Sequence, residues 1–237
     1  MSSQNKVLEE PAVKVLDLFS GTQSIKPVCD ELGWEYYSLD KYEPSTYQED
    51  ILDWDYKNID IKFDIVWASP CCLSYSNLTH SWRGRVVRGE LMTAERLEEG
   101  MKEGDKLVKK ALEIIDYFKP TYWFIENPDN GRLKDREFMK ELPYYITEYC
   151  KWGFDYKKPT RIWTNKEWET KRCRGKTCEM LVPTGKYTKR GKVCMTHKRN
   201  LGGQKYGGVG KYISGTNKKQ TEERHRVPPK LIHSLFT

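Results

Sequence analysis

Short apolar runs and helix-like periodicity alternate over the first 130 residues, and few architectures accept that order. Val13-Lys14-Val15-Leu16-Asp17-Leu18-Phe19 reads as a buried strand ending at a turn on Gly21, with Ile25 to Leu32 as the following helix. Glu35 to Leu39 is a second strand and Phe63 to Ala68 a third. Leu97, Met101, Leu107, Val108, Ala111, Leu112, Ile115 and Phe118 then recur at helical spacing, with Glu95, Glu98 and Glu99 near the end where a helix favours negative charge. Pro120 stops that helix, and Thr121-Tyr122-Trp123-Phe124-Ile125 is a fourth strand. Strands separated by helices must be covered on both faces, so the expectation is an α/β fold built on a doubly wound, mostly parallel sheet.

After Pro159 the texture changes, with cysteines, glycines and basic residues replacing the apolar periodicity. Between Lys157 and Lys230 there are 21 Lys and Arg against 5 Asp and Glu, a surplus of 16 positive charges, while the rest of the chain carries a surplus of 9 negative ones. Interleaved with Trp163, Trp168, Tyr187, Tyr206 and Tyr212, this basic stretch suits a polyanion, nucleic acid above all. Gly202, Gly203, Gly207, Gly208, Gly210 and Gly215 mark a flexible stretch, and helical spacing returns at Leu231, Ile232, Leu235 and Phe236 after Pro228-Pro229. The expected organisation is a catalytic domain over 12–165 plus 223–237, with a small basic lobe over 166–222. With 237 residues, 38% of them hydrophobic, the chain can bury a core. It has no apolar run near the ~20 residues of a membrane span and no signal-like start. An odd count of seven cysteines fits a reducing compartment, hence an intracellular protein of cytoplasm or nucleus that meets no membrane.

In an open parallel sheet ligands sit beyond the carboxyl ends of the strands. Those ends carry Asp17-Leu18-Phe19-Ser20-Gly21-Thr22-Gln23-Ser24, then Asp40, then Ser69-Pro70-Cys71-Cys72, then Glu126-Asn127-Pro128. A Gly turn with an acid about 20 residues later is a general way to hold a nucleoside cofactor, although Gln23 stands where a second Gly would be expected. Pro-Cys-Cys opening a polar loop suggests an accessible thiol. Glu126 on an apolar strand would cost several kcal/mol to bury charged and alone, so it needs a partner or a function.

Asp17-Leu18-Phe19-Ser20-Gly21, Ser69-Pro70-Cys71-Cys72 with Ser74-Tyr75-Ser76, and Glu126-Asn127-Pro128 resemble three signature motifs of the DNA cytosine-5 methyltransferases, in the family's order. Lys158-Pro159-Thr160-Arg161-Ile162-Trp163-Thr164-Asn165 is similar to the Arg-bearing motif beside the target base in compact phage and large-virus versions, and Arg226-Val227-Pro228-Pro229 resembles the closing motifs. The resemblance implies a Rossmann-like, S-adenosylmethionine-dependent enzyme acting on double-stranded DNA. It gives Cys72 the role of nucleophile on carbon 6 of a flipped cytosine, with Cys71 in the place of a second proline. It puts Glu126 on N3 and the exocyclic amine of the base, and Arg161 on its carbonyl. For the cofactor it implies Asp17, Phe19, Ser20, Gly21, Thr22 and Pro70, with Asp40 on the ribose and Asp50 and Ile51 facing the adenine. The departures are Gln23 for Gly, Cys71 for Pro, Pro128 for Val and an abbreviated Arg motif. Two rival functions share these features: an RNA cytosine-5 methyltransferase, and a DNA-binding protein that keeps the fold without turnover.

Within the basic lobe, Cys173-x4-Cys178, fifteen residues, then Cys194-x2-His197 is close to a four-ligand zinc arrangement, with Cys150 as a spare ligand. A lobe of about 55 residues with few apolar side chains would gain from such a staple; the alternative is free thiols on a lobe ordered by DNA. Lys171, Arg172, Arg174, Lys176, Lys189, Arg190, Lys198 and Arg199 surround these positions and are expected on phosphates.

Overall fold

A computed structural model describes residues 11–175, 177–197 and 225–237. Lys176, Lys198, Arg199, Tyr206, Tyr212 and the glycine stretch lie outside the described residues.

The first strand, β1 (Lys14–Leu18), leads into α1 (Lys26–Leu32), which ends on Gly33 in the left-handed conformation at φ 70° that a residue without Cβ adopts freely. The chain continues through β2 (Glu35–Leu39), β3 (Ile65–Ala68), a short α2 (Asn77–His80) and the small hairpin β4 (Val86–Val87) and β5 (Glu90–Leu91). The long α3 (Ala94–Phe118) starts on a Thr93 N-cap, whose hydroxyl accepts from the Arg96 N–H, so it begins three residues before its first apolar position. Then follow β6 (Tyr122–Pro128), α4 (Glu137–Lys140), β7 (Tyr144–Glu148) and β8 (Pro159–Thr164). Beyond them come β9 (Leu181–Tyr187), β10 (Val193–His197) and a closing α5 (Pro229–Phe236).

Six strands form one sheet in the order β2-β1-β3-β6-β8-β7. Neighbours from β2 to β6 are parallel, whereas β8 runs antiparallel to both β6 and β7. The expected doubly wound α/β sheet is therefore present, lengthened by an antiparallel pair at one edge. Since side chains alternate across a strand, Leu16, Leu18, Val66, Ala68, Ile125 and Trp163 fall on one face with Met101, Val108, Ala111, Ile114 and Ile115 of α3. Val15, Ile65, Trp67, Phe124 and Ile162 fall on the other with Val28 and Cys29 of α1 and Leu231, Ile232, Leu235 and Phe236 of α5. Phe236 is held among Trp34, Trp67 and Phe124, with ring centroids 5.6, 6.3 and 5.9 Å away, which fastens the C-terminus to the sheet.

The chain leaves β1 for β2 on one side and reaches β3 on the other, so the carboxyl ends of β1 and β3 border a crevice where the winding reverses. Outside this sheet, β9 and β10 make a separate antiparallel ribbon.

Candidate active site

A cavity of about 890 Å³ opens at the carboxyl ends of β1, β2, β3 and β6. Asp17, Phe19, Ser20, Gly21, Thr22, Asp40, Asp50, Ile51, Pro70, Cys72 and Glu126 all line it, so three motifs far apart in sequence meet in one crevice.

The turn after β1 is tightly wound. Phe19, Gly21 and Gln23 all have positive φ, at 61°, 45° and 51°. Gln23 thus adopts a conformation natural to the glycine it replaces, at a cost of roughly 1 kcal/mol. Its side chain gives something in return, donating from Nε2 to the Pro44 carbonyl at 2.6 Å. Asp40 joins the two loops: Oδ2 accepts the Gly21 N–H at 2.9 Å, and Oδ1 accepts those of Tyr42 at 2.8 Å and Glu43 at 2.9 Å. Of about four acceptor positions on the carboxylate, one remains for a ligand hydroxyl. Beneath the turn, Tyr36 donates its hydroxyl to Asp17 Oδ2 at 2.8 Å. Burial pushes the Asp17 carboxyl up to about 7, against the pull of the Tyr36 hydroxyl and with Asp40 adding to the rise. Asp50 behaves oppositely, held below the usual carboxylate range by the Lys41 ammonium at 2.7 Å and the Leu52 N–H.

The loop after β3 is pinned at three points. Asn127 donates from Nδ2 to the Pro70 carbonyl at 2.9 Å, Arg132 donates its N–H to the Tyr75 carbonyl at 2.8 Å, and the buried Tyr75 hydroxyl donates to Asp105 Oδ1 on α3 at 2.9 Å. Arg136 grips the same Asp105 carboxylate through Nε, 3.0 Å from each oxygen. Tyr75 packs so closely on α3 that a Cβ at Gly104 would lie 3.0 Å from its hydroxyl oxygen, which explains a glycine inside a helix. Between these anchors Cys71 is exposed and Cys72 partly buried. Burial, and after it the charge of Glu126, push the Cys72 thiol above its ordinary range, while Lys158 pulls it down.

Glu126 is buried and has two partners. Tyr149 donates its hydroxyl to Oε1 at 2.8 Å, and Lys158 Nζ lies 3.5 Å from the same oxygen. Lys158 also sits over the Tyr149 ring, 4.6 Å from its centroid. Two buried side-chain atoms that border the cavity, Ser20 Oγ and Asn127 Oδ1, have no hydrogen-bond partner among the described residues, so a ligand donor would find acceptors there.

Arg161 is not brought to this group. On β8 it pairs with Asn127 of β6, whereas Glu126 pairs with Ile162, so Arg161 and Glu126 point to opposite faces of the sheet. The guanidinium instead bonds Asp129 Oδ1 at 2.9 Å and stacks on Tyr144 at 3.8 Å from the ring centroid. The cation beside Glu126 is Lys158, to which the family resemblance gives no role. His225 and Arg226 also line the cavity; nothing in the sequence pattern pointed to His225.

The four residues expected to ligate zinc are only partly assembled. Cys173, Cys178 and His197 come together with Cys150, not Cys194. Cys194 sits where the β9–β10 register shifts, between Val193 and Met195, and its sulfur is not part of the group.

No family model matches the chain. A probable DNA (cytosine-5)-methyltransferase of Frog virus 3 (isolate Goorha) is 37% identical over 236 residues, covering 94% of this chain and 99% of its own. A methyltransferase of Entamoeba histolytica superposes with a TM-score of 0.55 over 96% of this chain and 97% of that one at 13% identity, a likeness of fold. A putative DNA modification methyltransferase encoded within an E. coli prophage gives a TM-score of 0.45 over 65% of this chain and 46% of that one, at 13% identity. With more than a third of its residues shared across nearly the full length of the viral relative, the chain belongs to the DNA (cytosine-5)-methyltransferase family.

Proposed function

We propose that this protein methylates carbon 5 of cytosine in double-stranded DNA, using S-adenosylmethionine, through a covalent bond from Cys72 to carbon 6 of the base. The observation that carries the reading is the meeting of Cys72, Glu126 and Lys158 in the same cavity that the β1 turn lines. The donors and acceptors present suit the cofactor: apolar surface from Phe19, Leu39 and Ile51, carboxylates from Asp40 and Asp50, and the spare acceptor of Ser20 Oγ. Bound there, S-adenosylmethionine supplies a methyl group on a positively charged sulfur.

Cytosine carbon 5 is too weak a nucleophile to take that methyl unaided. Addition of the Cys72 sulfur at carbon 6 breaks the 5,6 double bond and moves its electron pair to carbon 5. Glu126 favours addition by hydrogen-bonding N3 and the exocyclic amine, while Tyr149 fixes its carboxyl group in place. Lys158 supplies the positive charge beside this group, lowering the cost of the Cys72 thiolate and of charge on the adduct. Carbon 5 would take the methyl as the S–CH3 bond breaks, its electron pair staying on the cofactor's sulfur, which becomes neutral; loss of the carbon-5 proton to solvent then restores the double bond and expels the Cys72 sulfur. A stacked cytosine cannot offer carbon 6 to a thiolate, so the base must leave the helix and enter the cavity.

The basic segment over 166–222 supplies the polyanion-facing surface in this reading, and the domain over 12–165 plus 223–237 the chemistry. Work on DNA puts the protein in whichever compartment holds that DNA, cytoplasm or nucleus. No helix among the described residues is long and apolar enough to cross a membrane. Nucleoside analysis after incubation with S-adenosylmethionine and either duplex DNA or tRNA tests the reading. We expect 5-methylcytosine in DNA, abolished by Cys72→Ser. Methyl incorporation into tRNA alone would make the protein an RNA enzyme, and none into either would leave a DNA-binding module.

A further inference from the structure

We propose that Cys150, Cys173, Cys178 and His197 bind one structural zinc ion that joins the β9–β10 ribbon to the catalytic sheet. Their ligand atoms all lie within 4.8 Å of one another and all four residues are buried. Cys173 Sγ and His197 Nε2 are 3.7 Å apart. Four donors at about 2.0–2.3 Å around a tetrahedral zinc stand about 3.6–3.8 Å from each other, so that pair has the spacing of two ligands on one ion. None of the three sulfurs is in a disulfide.

The local backbone is built for this. Cys173 and Cys178 flank a turn on Gly175, whose φ is 65°, and the Cys178 N–H donates to the Gly175 carbonyl at 3.1 Å. Buried Glu148 at the end of β7 accepts the Cys173 N–H at 2.6 Å and pairs with Arg172 at 3.2 Å, fixing where the first sulfur stands. Cys150 follows β7 directly, in the turn Tyr149–Trp152, and so belongs to the sheet's own edge. Among the described residues only Met180 and Leu181 pack as partly buried apolar partners on the three sulfurs, little surface to hold a ribbon by burial. Three thiolates, a neutral histidine and Zn²⁺ carry one net negative charge.

All four coordination positions are filled by protein, which marks a structural ion with no place for a reacting water. Cys150 lies immediately beyond Tyr149, which bonds Glu126, so the same turn serves both the ion and the catalytic carboxylate. The ion would therefore set the orientation of the basic ribbon relative to the base-binding site.

Elemental analysis of the full-length protein, purified without chelator, tests this independently of activity. We expect one zinc per chain in the wild type and in Cys194→Ser, and less than a tenth of that in Cys150→Ser. Replacing the zinc of wild type by cobalt should give the intense absorption of a tetrahedral, thiolate-bound ion, which guards against a variant that merely misfolds. Absence of zinc from wild type, iron in its place, a disulfide among the three cysteines, or metal lost in Cys194→Ser but kept in Cys150→Ser would overturn the proposal.

Discussion

Cys72 sits where two opposite charges compete for its proton. Burial and Glu126 hold the thiol protonated and Lys158 favours the thiolate, so the raised value leaves the nucleophile largely neutral in the free protein at neutral pH. The sign of each effect is testable by timing alkylation with iodoacetamide in a Cys71→Ser background. The rate should still be climbing with pH beyond the ordinary thiol range. Glu126→Gln should shift that profile to lower pH, because a charge that raises the value is gone, although methylation falls by about 10²–10³-fold. Were Glu126→Gln to shift it upward, the charge relation between the two groups would be wrong. Glu126 was legible in the sequence as a charge on an apolar strand and Cys72 as part of Pro-Cys-Cys opening a polar loop, with the resemblance choosing it over Cys71. His225 was not, because it reaches the cavity from the far end of the chain.

Among the elements, β8 and the residue before it decide which cation stands beside Glu126. Its register against β6 turns Arg161 toward Asp129, while Lys158, just before the strand, pairs with Glu126. Sequence alone could locate Lys158 to Asn165 but not the parity of the strand, which sets the neighbours of Arg161. A related limit applies on β10, where a register shift at Cys194 leaves His197 in the cysteine cluster and Cys194 out of it. By contrast α3 and β1 were legible, since their apolar spacing matched the faces they bury. Lys158→Met is expected to lower kcat by about 10–10³-fold and to move Cys72 alkylation to higher pH. Arg161→Met is expected to cost about 1–3 kcal/mol in urea unfolding, by leaving Asp129 without its partner, while kcat of the folded protein stays within a few-fold. The reverse pattern would return the catalytic charge to Arg161.

For the whole molecule, charge counts alone separate a basic stretch over 157–230 from an acidic remainder. What the counts could not supply was how the basic part attaches, because a ribbon with so few apolar contacts leaves no periodicity to read. Lys186, Lys189, Arg190 and Lys192 are exposed on and around the turn of that ribbon. Replacing all four by Ser should lower duplex affinity and make the slope of log Kd against log salt shallower by about 1–3, without altering cofactor binding. An unchanged slope would take DNA off this ribbon.

The central claim is a bond between one sulfur and one ring carbon. Incubating the protein with S-adenosylmethionine and a duplex that carries 5-fluorocytosine at the methylated position should trap it, since fluorine cannot leave carbon 5 as a proton does. Denaturing electrophoresis followed by peptide mass mapping should find the DNA attached to Cys72 in wild type and no adduct in Cys72→Ser. Attachment at Cys71, or full methylation of ordinary duplex by Cys72→Ser, would contradict the account.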